Sequence, residues 1–165
     1  MRRRGLKLHV GSVTWHLLMS LLVLILTHRG TSFSALPQPP RNISIQFMNR
    51  IKRASSWENG IRVLQDIESE GYSPDVFHYS AAINKCAKAR QSQWRAALTL
   101  LKRMENQGVL PNEVVLLAAI NACARAGRYV KAVQLLRAME TRYDLDPGVK
   151  TYSAAISACE KGNMP

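Results

Sequence analysis

The sequence predicts an all-α fold in which helical hairpins repeat and stack into a right-handed α-solenoid. One observation is a nine-residue segment that starts at Ala81, reads Ala-Ala-Ile-Asn-Lys-Cys-Ala-Lys-Ala, and recurs in similar form from Ala118 and Ala154. The copies lie 37 and then 36 residues apart, and such a period is typical of stacked helical repeats, because one unit cannot bury its apolar face alone. A second observation is the ending Gly-x-x-Pro-Asp or Gly-x-x-Pro-Asn, at Gly71 and Gly108, which predicts the end of one helix and the start of the next. Together the two observations predict two helices in each repeat.

The first 53 residues have the composition of a targeting leader. Residues 1–32 place three arginines before an apolar run at 17–26 and small residues after it, which is typical of a secretory signal peptide. The run is shorter than the roughly 17–25 apolar residues that a membrane span needs, so a cleaved signal is favoured over an anchor, with membrane contact only before cleavage. Residues 33–53 are basic and contain hydroxyl and proline residues but no acid, as in a transit peptide, and the part at 43–53 is compatible with a short helix. This bipartite leader favours the plastid over the mitochondrion, and plain secretion is the remaining alternative.

Helical periodicity and punctuation divide the rest of the chain. Residues 54–75 are interpreted as a degenerate half repeat with one helix at 57–70, because Ile61, Leu64 and Ile67 share a face. Full repeats are predicted at 76–112, with helices at 76–89 and 94–107, and at 113–148, with helices at 113–126 and 129–142. Residues 149–165 are interpreted as a truncated repeat whose only helix spans 149–161. The missing second helix favours a chain that is part of a longer protein.

The cysteines and the charge limit the chemistry of the chain. Cys86, Cys123 and Cys159 occupy equivalent positions beside alanines, so they are predicted to be small core residues, and the sequence predicts neither a cofactor nor a metal. The net charge is +12, of which +7 falls in the first 50 residues, where no acid occurs. The repeats are therefore only moderately basic, which is compatible with a polyanionic partner without requiring one.

The motifs resemble those of the pentatricopeptide repeat family. The resemblance rests on Tyr79-Ser80, on Cys86-Ala87-Lys88, and on the pattern Ala-Leu-x-Leu-Leu-x-x-Met-x-x-x-Gly that ends at Gly108. Tetratricopeptide repeats are the closest alternative, but their period is about 34 residues and their aromatic positions differ. The resemblance implies a solenoid that binds single-stranded RNA, with about one base read per repeat by two or three side chains.

The resemblance also implies roles for particular residues. The position that touches a base edge corresponds to Ser80, Leu117 and Ser153, and its partner at the end of each repeat is Asn112 for Ser80 and Gly148 for Leu117. A hydroxyl with an Asn resembles the family's adenine combination, whereas Leu117 with Gly148 offers no side-chain donor or acceptor. Ser153 has no partner, and Asp75 closes the leading half repeat. The base-stacking position corresponds to Phe77, Val114 and Lys150, of which only Phe77 offers an aromatic face.

A basic residue follows each cysteine by two positions, at Lys88, Arg125 and Lys161. Stacked repeats would align these three cations, so they are candidates for phosphate contacts. The alternative is a solvated helix end, where a cation is favoured by the helix dipole.

These features predict a non-catalytic module that binds single-stranded RNA and acts in organelle RNA processing, stability or editing, with other RNA-processing proteins as candidate partners. A protein-binding helical scaffold is the alternative function. The sequence does not predict an enzyme, because Asp66, Glu68 and Glu70 alternate around one helix and His78 has no titratable partner in a recognisable motif.

Overall fold

The computed structural model describes residues 36–162, which contain seven α-helices and no β-strand. In chain order the helices are α1 Arg41–Arg53, α2 Trp57–Ser69, α3 Val76–Lys88, α4 Trp94–Asn106, α5 Glu113–Arg125, α6 Tyr129–Tyr143 and α7 Val149–Lys161. None of them is long and apolar enough to cross a membrane. The predicted all-α repeat architecture is confirmed, and the interpretations of residues 1–35 lie outside the described part of the chain.

Local sequence explains where the helices begin. The side chains of Ser56, Asp75 and Asn112 each accept hydrogen bonds from backbone N–H groups of the helix that follows, which satisfies donors that the first turn leaves unpaired. Gly148 begins α7 without a side-chain cap.

Glycine explains where several helices end. Gly71, Gly108 and Gly127 have φ angles of 83°, 74° and 63°, a conformation that glycine adopts without steric cost. At each site the next residue donates its N–H to a carbonyl five residues back, as Tyr72 does to Ile67 at 3.1 Å, which is the hydrogen bond of a Schellman motif.

The odd-numbered helices form one row of parallel helices. At one end of α1 and α3, the Ser44 hydroxyl lies 3.4 Å from Nε2 of His78, and at the other end the Lys85 ammonium donates to the carbonyl of Lys52 at 2.9 Å. The same arrangement continues to α7, because a Cβ on Gly127, just after α5, would lie 3.2 Å from the carbonyl oxygen at the end of α7. The even-numbered helices form a second row, in which each packs between two odd-numbered helices. Helices of the first row pack against one another more closely than those of the second, so the first row lines the concave face.

Buried residues lie between the two rows. Small side chains of the odd-numbered helices, such as Ala82 and Ala119, are completely buried and permit the close packing of the first row. Met104 and Met139 are their buried counterparts on the even-numbered helices. The predicted core position of the cysteines is confirmed for Cys86 and Cys123, which are buried, while Cys159 is half-buried.

Residues 41–53 are helical, as the sequence analysis allowed for 43–53, but they belong to the folded repeats and not to the transit-like segment 33–53 to which they were assigned. They form α1, which buries Phe47 and Ile51 and packs on α2 and α3. The leading unit is therefore a two-helix hairpin. The absence of acids suggested a transit segment, but it is the four-residue spacing of Phe47 and Ile51 that determines the helix and its buried face.

Candidate nucleic-acid interface

The residues predicted to read bases lie at one edge of the concave row. Ser80 and Leu117 are half-buried and Ser153 is exposed. Each is the fifth residue of its helix. Because α3, α5 and α7 are parallel neighbours, their first turns lie side by side, about 8–10 Å apart at ordinary helix packing distances. The structure thus brings the three positions together on one surface.

Asn112 has a structural role that sequence reasoning missed. Its side-chain oxygen accepts a hydrogen bond from the backbone N–H of Val115 at 3.0 Å, as the cap of α5. The cap fixes the orientation of the amide and uses one lone pair of its oxygen, while the amide nitrogen remains free to donate to a base. An Asn before a helix that begins with Glu113 is a recognisable capping signal.

The partner positions of the neighbouring repeats differ from Asn112. Asp75 caps α3 and accepts hydrogen bonds from the N–H groups of Phe77 and His78. Burial opposes ionisation of Asp75, but the hydrogen bonds and the charge interaction with His78 outweigh it and lower the pKa of the carboxyl. Gly148 has no side chain, and a Cβ there would meet the carboxylate of Glu113 at 3.0 Å. The pair Leu117 and Gly148 therefore presents an apolar side chain and backbone groups but no polar side chain.

The predicted stacking positions are well exposed. Phe77 and Val114 have exposed fractions of 62% and 60%, unusual values for apolar side chains in a small domain, and Lys150 is also exposed. All three lie in the first turn of their helices, beside the predicted base readers. Phe77 alone offers an aromatic surface.

His78 connects two repeats. The ring is buried, and its Nδ1 lies 3.2 Å from the backbone nitrogen of Asp75 and 2.7 Å from the Asp75 carboxylate. Its Nε2 lies 3.1 Å from the carbonyl oxygen of Ser44. These bonds hold the first turn of α3 against α1.

The predicted phosphate-contacting residues lie at the other edge of the row. Lys88, Arg125 and Lys161 are exposed in the last turns of α3, α5 and α7. Lys88 follows Ser80 by eight residues, which places it about 12 Å further along the helix axis at 1.5 Å per residue. None of the three forms an ion pair within residues 36–162.

The basic edge is larger than the sequence analysis predicted. Lys85, Lys88 and Arg90 line an open cleft of about 810 Å³, together with the Trp57 side chain and the loop before it. The basic edge consists of the ends of the odd-numbered helices, the loops that follow them and the starts of the even-numbered helices. It carries ten cations: Lys52, Arg53, Lys85, Lys88, Arg90, Arg95, Arg125, Arg128, Lys131 and Lys161.

Acidic residues concentrate at the opposite edge. Eight lie at the ends of even-numbered helices, in the loops that follow or at the starts of odd-numbered ones: Glu68, Glu70, Asp75, Glu105, Glu113, Glu140, Asp144 and Asp146. The division is a majority and not complete, because the acidic edge also carries Arg41, Arg103, Arg142 and Lys150, and the basic edge also carries Glu58 and Glu160. The net charge of the chain does not show this division, because the division depends on which helix ends lie at the same edge. In the described part of the chain no three His, Cys, Asp or Glu side chains are grouped so that they could hold a metal ion.

Comparison with known proteins adds two findings. The family model described as the pentacotripeptide-repeat region of PRORP matches residues 39–164. A similar solved structure is the crystal structure of the PPR domain of Arabidopsis thaliana protein-only RNase P 1 in complex with tRNA, with a TM-score of 0.63 and 17% sequence identity. The match covers 76% of this chain and 65% of that chain, so the protein spans less than two thirds of that domain's length. A search of the curated proteins gave no significant match.

Proposed function

The chain belongs to the pentatricopeptide repeat family, and on that premise we propose that its solenoid is a non-catalytic module that binds single-stranded RNA. The observation that carries the proposal is the parallel row of odd-numbered helices. This row aligns exposed hydrogen-bonding and apolar groups along one edge and unpaired cations along the other. The solved relative named above was crystallised with tRNA, which supports a nucleic-acid ligand.

Base recognition is proposed to centre on Ser80 and Asn112. The Ser80 hydroxyl can donate or accept, and the amide nitrogen of Asn112 can donate to an acceptor on adenine. Phe77 lies exposed in the same turn as Ser80 and can stack on the base, an interaction worth about 1–3 kcal/mol per base. Leu117 and Gly148 offer no polar side chain, so the next base is bound without a strong preference.

Phosphate binding is assigned to Lys88, Arg125 and Lys161. One selective repeat and three phosphate contacts give weak binding with little sequence information, because non-specific electrostatic contacts alone typically give dissociation constants of about 10⁻⁴–10⁻⁶ M at physiological salt. We therefore propose that other RNA-processing proteins or further repeats provide the rest of the specificity.

The cellular role is proposed to be organelle RNA processing, stability or editing, in the plastid in preference to the mitochondrion. The support is the leader sequence of residues 1–40, whose basic, apolar and acid-free segments are typical of targeting peptides. A fluorescent protein fused behind residues 1–40 should enter plastids, and uptake by mitochondria or secretion would contradict the destination.

The direct test measures binding of the full chain to labelled oligonucleotides by fluorescence anisotropy. Single-stranded RNA containing adenine should bind more tightly than cytosine-only RNA and more tightly than duplex DNA. Equal, salt-insensitive binding to all three would refute RNA recognition.

Asn112→Asp is the matched variant for the base-reading role. Aspartate keeps the cap on α5, because its carboxylate also accepts from the N–H of Val115. It replaces the only remaining donor by an acceptor, so preference should move from adenine toward guanine, which has an N2 donor. An unchanged preference in a variant of unchanged stability would remove Asn112 from the reading site.

A further inference from the structure

The cleft of about 810 Å³ on the basic edge lies between the first two helical hairpins. It is formed by the start of α2, the end of α3 and the loop that follows α3. Its lining includes the cations Lys85, Lys88 and Arg90, the carboxylate of Glu58 and the indole of Trp57. The volume is within the range of about 300–1,000 Å³ that small-molecule sites occupy. The cleft therefore has room for a ligand, and its cations favour an anionic one.

Lys85 occupies a position that is alanine in the other repeats. The equivalent residues are Ala122 in α5 and Ala158 in α7, and both are buried. The stem of Lys85 lies beside Gly60 of α2, where an added Cβ would be 3.4 Å from its Cγ. Its ammonium group donates to the carbonyl of Lys52 at 2.9 Å, which uses one of its three N–H donors. This bond holds the ammonium at the cleft.

Arg90 is supplied by a loop that is longer than its counterparts. The loop 89–93 has five residues, whereas the connections 54–56 and 126–128 have three. Two hydrogen bonds fix it, from the N–H of Gln93 to the carbonyl of Cys86 at 3.1 Å and from the hydroxyl of Ser92 to the carbonyl of Ala122 at 2.7 Å. Arg90 is exposed and forms no ion pair within residues 36–162. Lys85 and Arg90 thus add two cations to the single one, Lys88, that each repeat supplies.

The indole of Trp57 lines the cleft without a cation over its ring. Its counterpart in the next hairpin, Trp94, has the guanidinium carbon of Arg128 at 5.4 Å from the ring centre. The residue that corresponds to Arg128 beside Trp57 is Gln93, which is neutral and also lines the cleft. Within the described residues Trp57 forms no cation–π contact. The half-buried indole is therefore available to stack on a planar group.

These groups together match the chemistry of a nucleotide. The three cations exceed the one carboxylate by two charges, and a phosphate monoester carries about −1.5 to −2 at neutral pH, more than a phosphodiester inside a strand. An indole stacks on any nucleobase, because every base has a π face. Glu58 can accept a hydrogen bond from a ribose hydroxyl or a base amino group. An inorganic anion would use only the cations.

We propose that this cleft binds a 5′-nucleotide through its phosphate monoester. Lys85, Lys88 and Arg90 contact the phosphate, and Trp57 stacks on the base. A free mononucleotide and the 5′-phosphorylated end of an RNA strand present the same chemistry, and the experiment separates these two sources. The site does not depend on the proposed base readers Ser80 and Asn112.

The first test titrates the isotope-labelled full chain with adenosine monophosphate and follows the amide and indole N–H signals by two-dimensional NMR. Adenosine, which lacks the phosphate, and ribose 5-phosphate, which lacks the base, are the control ligands. We expect saturable shifts that include the Trp57 indole, and affinity for adenosine monophosphate at least about fivefold above that for either control, the lower end of what one stacked base contributes. Equal affinity for the nucleotide and either control, or shifts that leave the Trp57 indole unmoved, would overturn the proposal.

Arg90→Gln tests the cation that the longer loop supplies. It should weaken binding of adenosine monophosphate at least about fivefold, because it removes a charge-assisted hydrogen bond to phosphate. Lys131→Gln is the matched control, since Lys131 is also an exposed cation of the basic edge but does not line the cleft. The NMR spectrum of each variant shows whether it is folded. Equal losses in the two variants would attribute binding to net charge and overturn the proposal.

The second test compares one RNA oligonucleotide with a 5′-phosphate and with a 5′-hydroxyl by fluorescence anisotropy. Tighter binding of the phosphorylated strand that Arg90→Gln abolishes and Lys131→Gln preserves assigns the cleft to a strand end. Equal binding of the two strands, with binding of adenosine monophosphate retained, assigns it to a free nucleotide, and either result supports the site. RNA binding with neither nucleotide binding nor a preference for the 5′-phosphate would overturn this inference and leave the proposed RNA-binding function intact.

Discussion

Replacing Lys88, Arg125 and Lys161 together by glutamine should flatten the salt dependence of RNA binding. The three side chains are exposed in equivalent last turns and form no ion pair within the described residues, so their charge is available to phosphate. Glutamine is a good helix former of similar length, so the fold should be preserved.

The magnitude follows from the number of contacts. Each neutralised phosphate of a single strand contributes about −0.7 to the slope of log K against log salt, so three contribute about −2. Between about 50 and 200 mM salt, these contacts alone should weaken wild-type binding by roughly 20-fold. The variant should lose this part of the dependence, whatever the other cations of the basic edge contribute.

The assay is fluorescence anisotropy with one single-stranded RNA over a series of salt concentrations. The matched control replaces Arg62, Lys102 and Arg137, which are exposed on the even-numbered helices, by glutamine. Both variants lose three charges, but only the first loses them from the concave row. If both flatten the slope equally, net charge explains the effect, and if neither does, the assigned phosphate contacts are wrong.

Three further outcomes test the fold and the electrostatics. Met104→Ala should lower the free energy of unfolding in urea by about 2–5 kcal/mol because the side chain is completely buried, whereas Leu110→Ala, at 79% exposed, should change it by no more than about 0.5 kcal/mol. Iodoacetamide at neutral pH should label half-buried Cys159 well before Cys123, whose pKa burial raises to about 11, and equal rates in the folded chain would contradict that burial. Because the pKa of Asp75 is lowered in the folded chain, its ionised carboxylate stabilises the fold above the unfolded pKa of about 3.9, and this stability is lost as pH falls through the folded pKa. Asp75→Asn should therefore flatten the fall in unfolding free energy between about pH 5 and 3.

Helix positions were predictable because the chain marks them strongly. The predicted bounds of α3 to α7 agree with the structure to within one residue, since glycine and capping residues fix the ends and repetition fixes the register. The helix at Arg41–Arg53 was underestimated, because its basic composition suggested targeting and its apolar face consists of few residues. The amino-acid composition of this segment indicates its charge, whereas its packing against the next helices depends on the spacing of its apolar residues.

The candidate site was predictable in position but not in chemistry. Repeat register alone identifies Ser80 and Lys88 as neighbours of equivalent residues in the next helices. The cap that Asn112 forms on α5 is a local signal that the sequence does contain, because this Asn directly precedes Glu113. Repeat register does not reveal the hydrogen bonds that Glu68 and Glu105 accept from the next even-numbered helix. These contacts depend on which helix ends meet in space, and partners more than thirty residues apart have no signature in a single sequence.

The division of charge between the two edges restricts how the proposed RNA strand could lie. Asp75 and Glu113 stand at the edge that carries Phe77 and Val114, so a phosphate placed there would face carboxylates. At the other edge ten cations surround the ends of the odd-numbered helices. Electrostatic energy therefore favours a strand whose backbone follows the basic edge and whose bases point along the helices toward their first turns. In the same orientation Ser80 and the amide nitrogen of Asn112 face a base edge instead of a phosphate, so the electrostatics and the proposed reading positions favour the same arrangement.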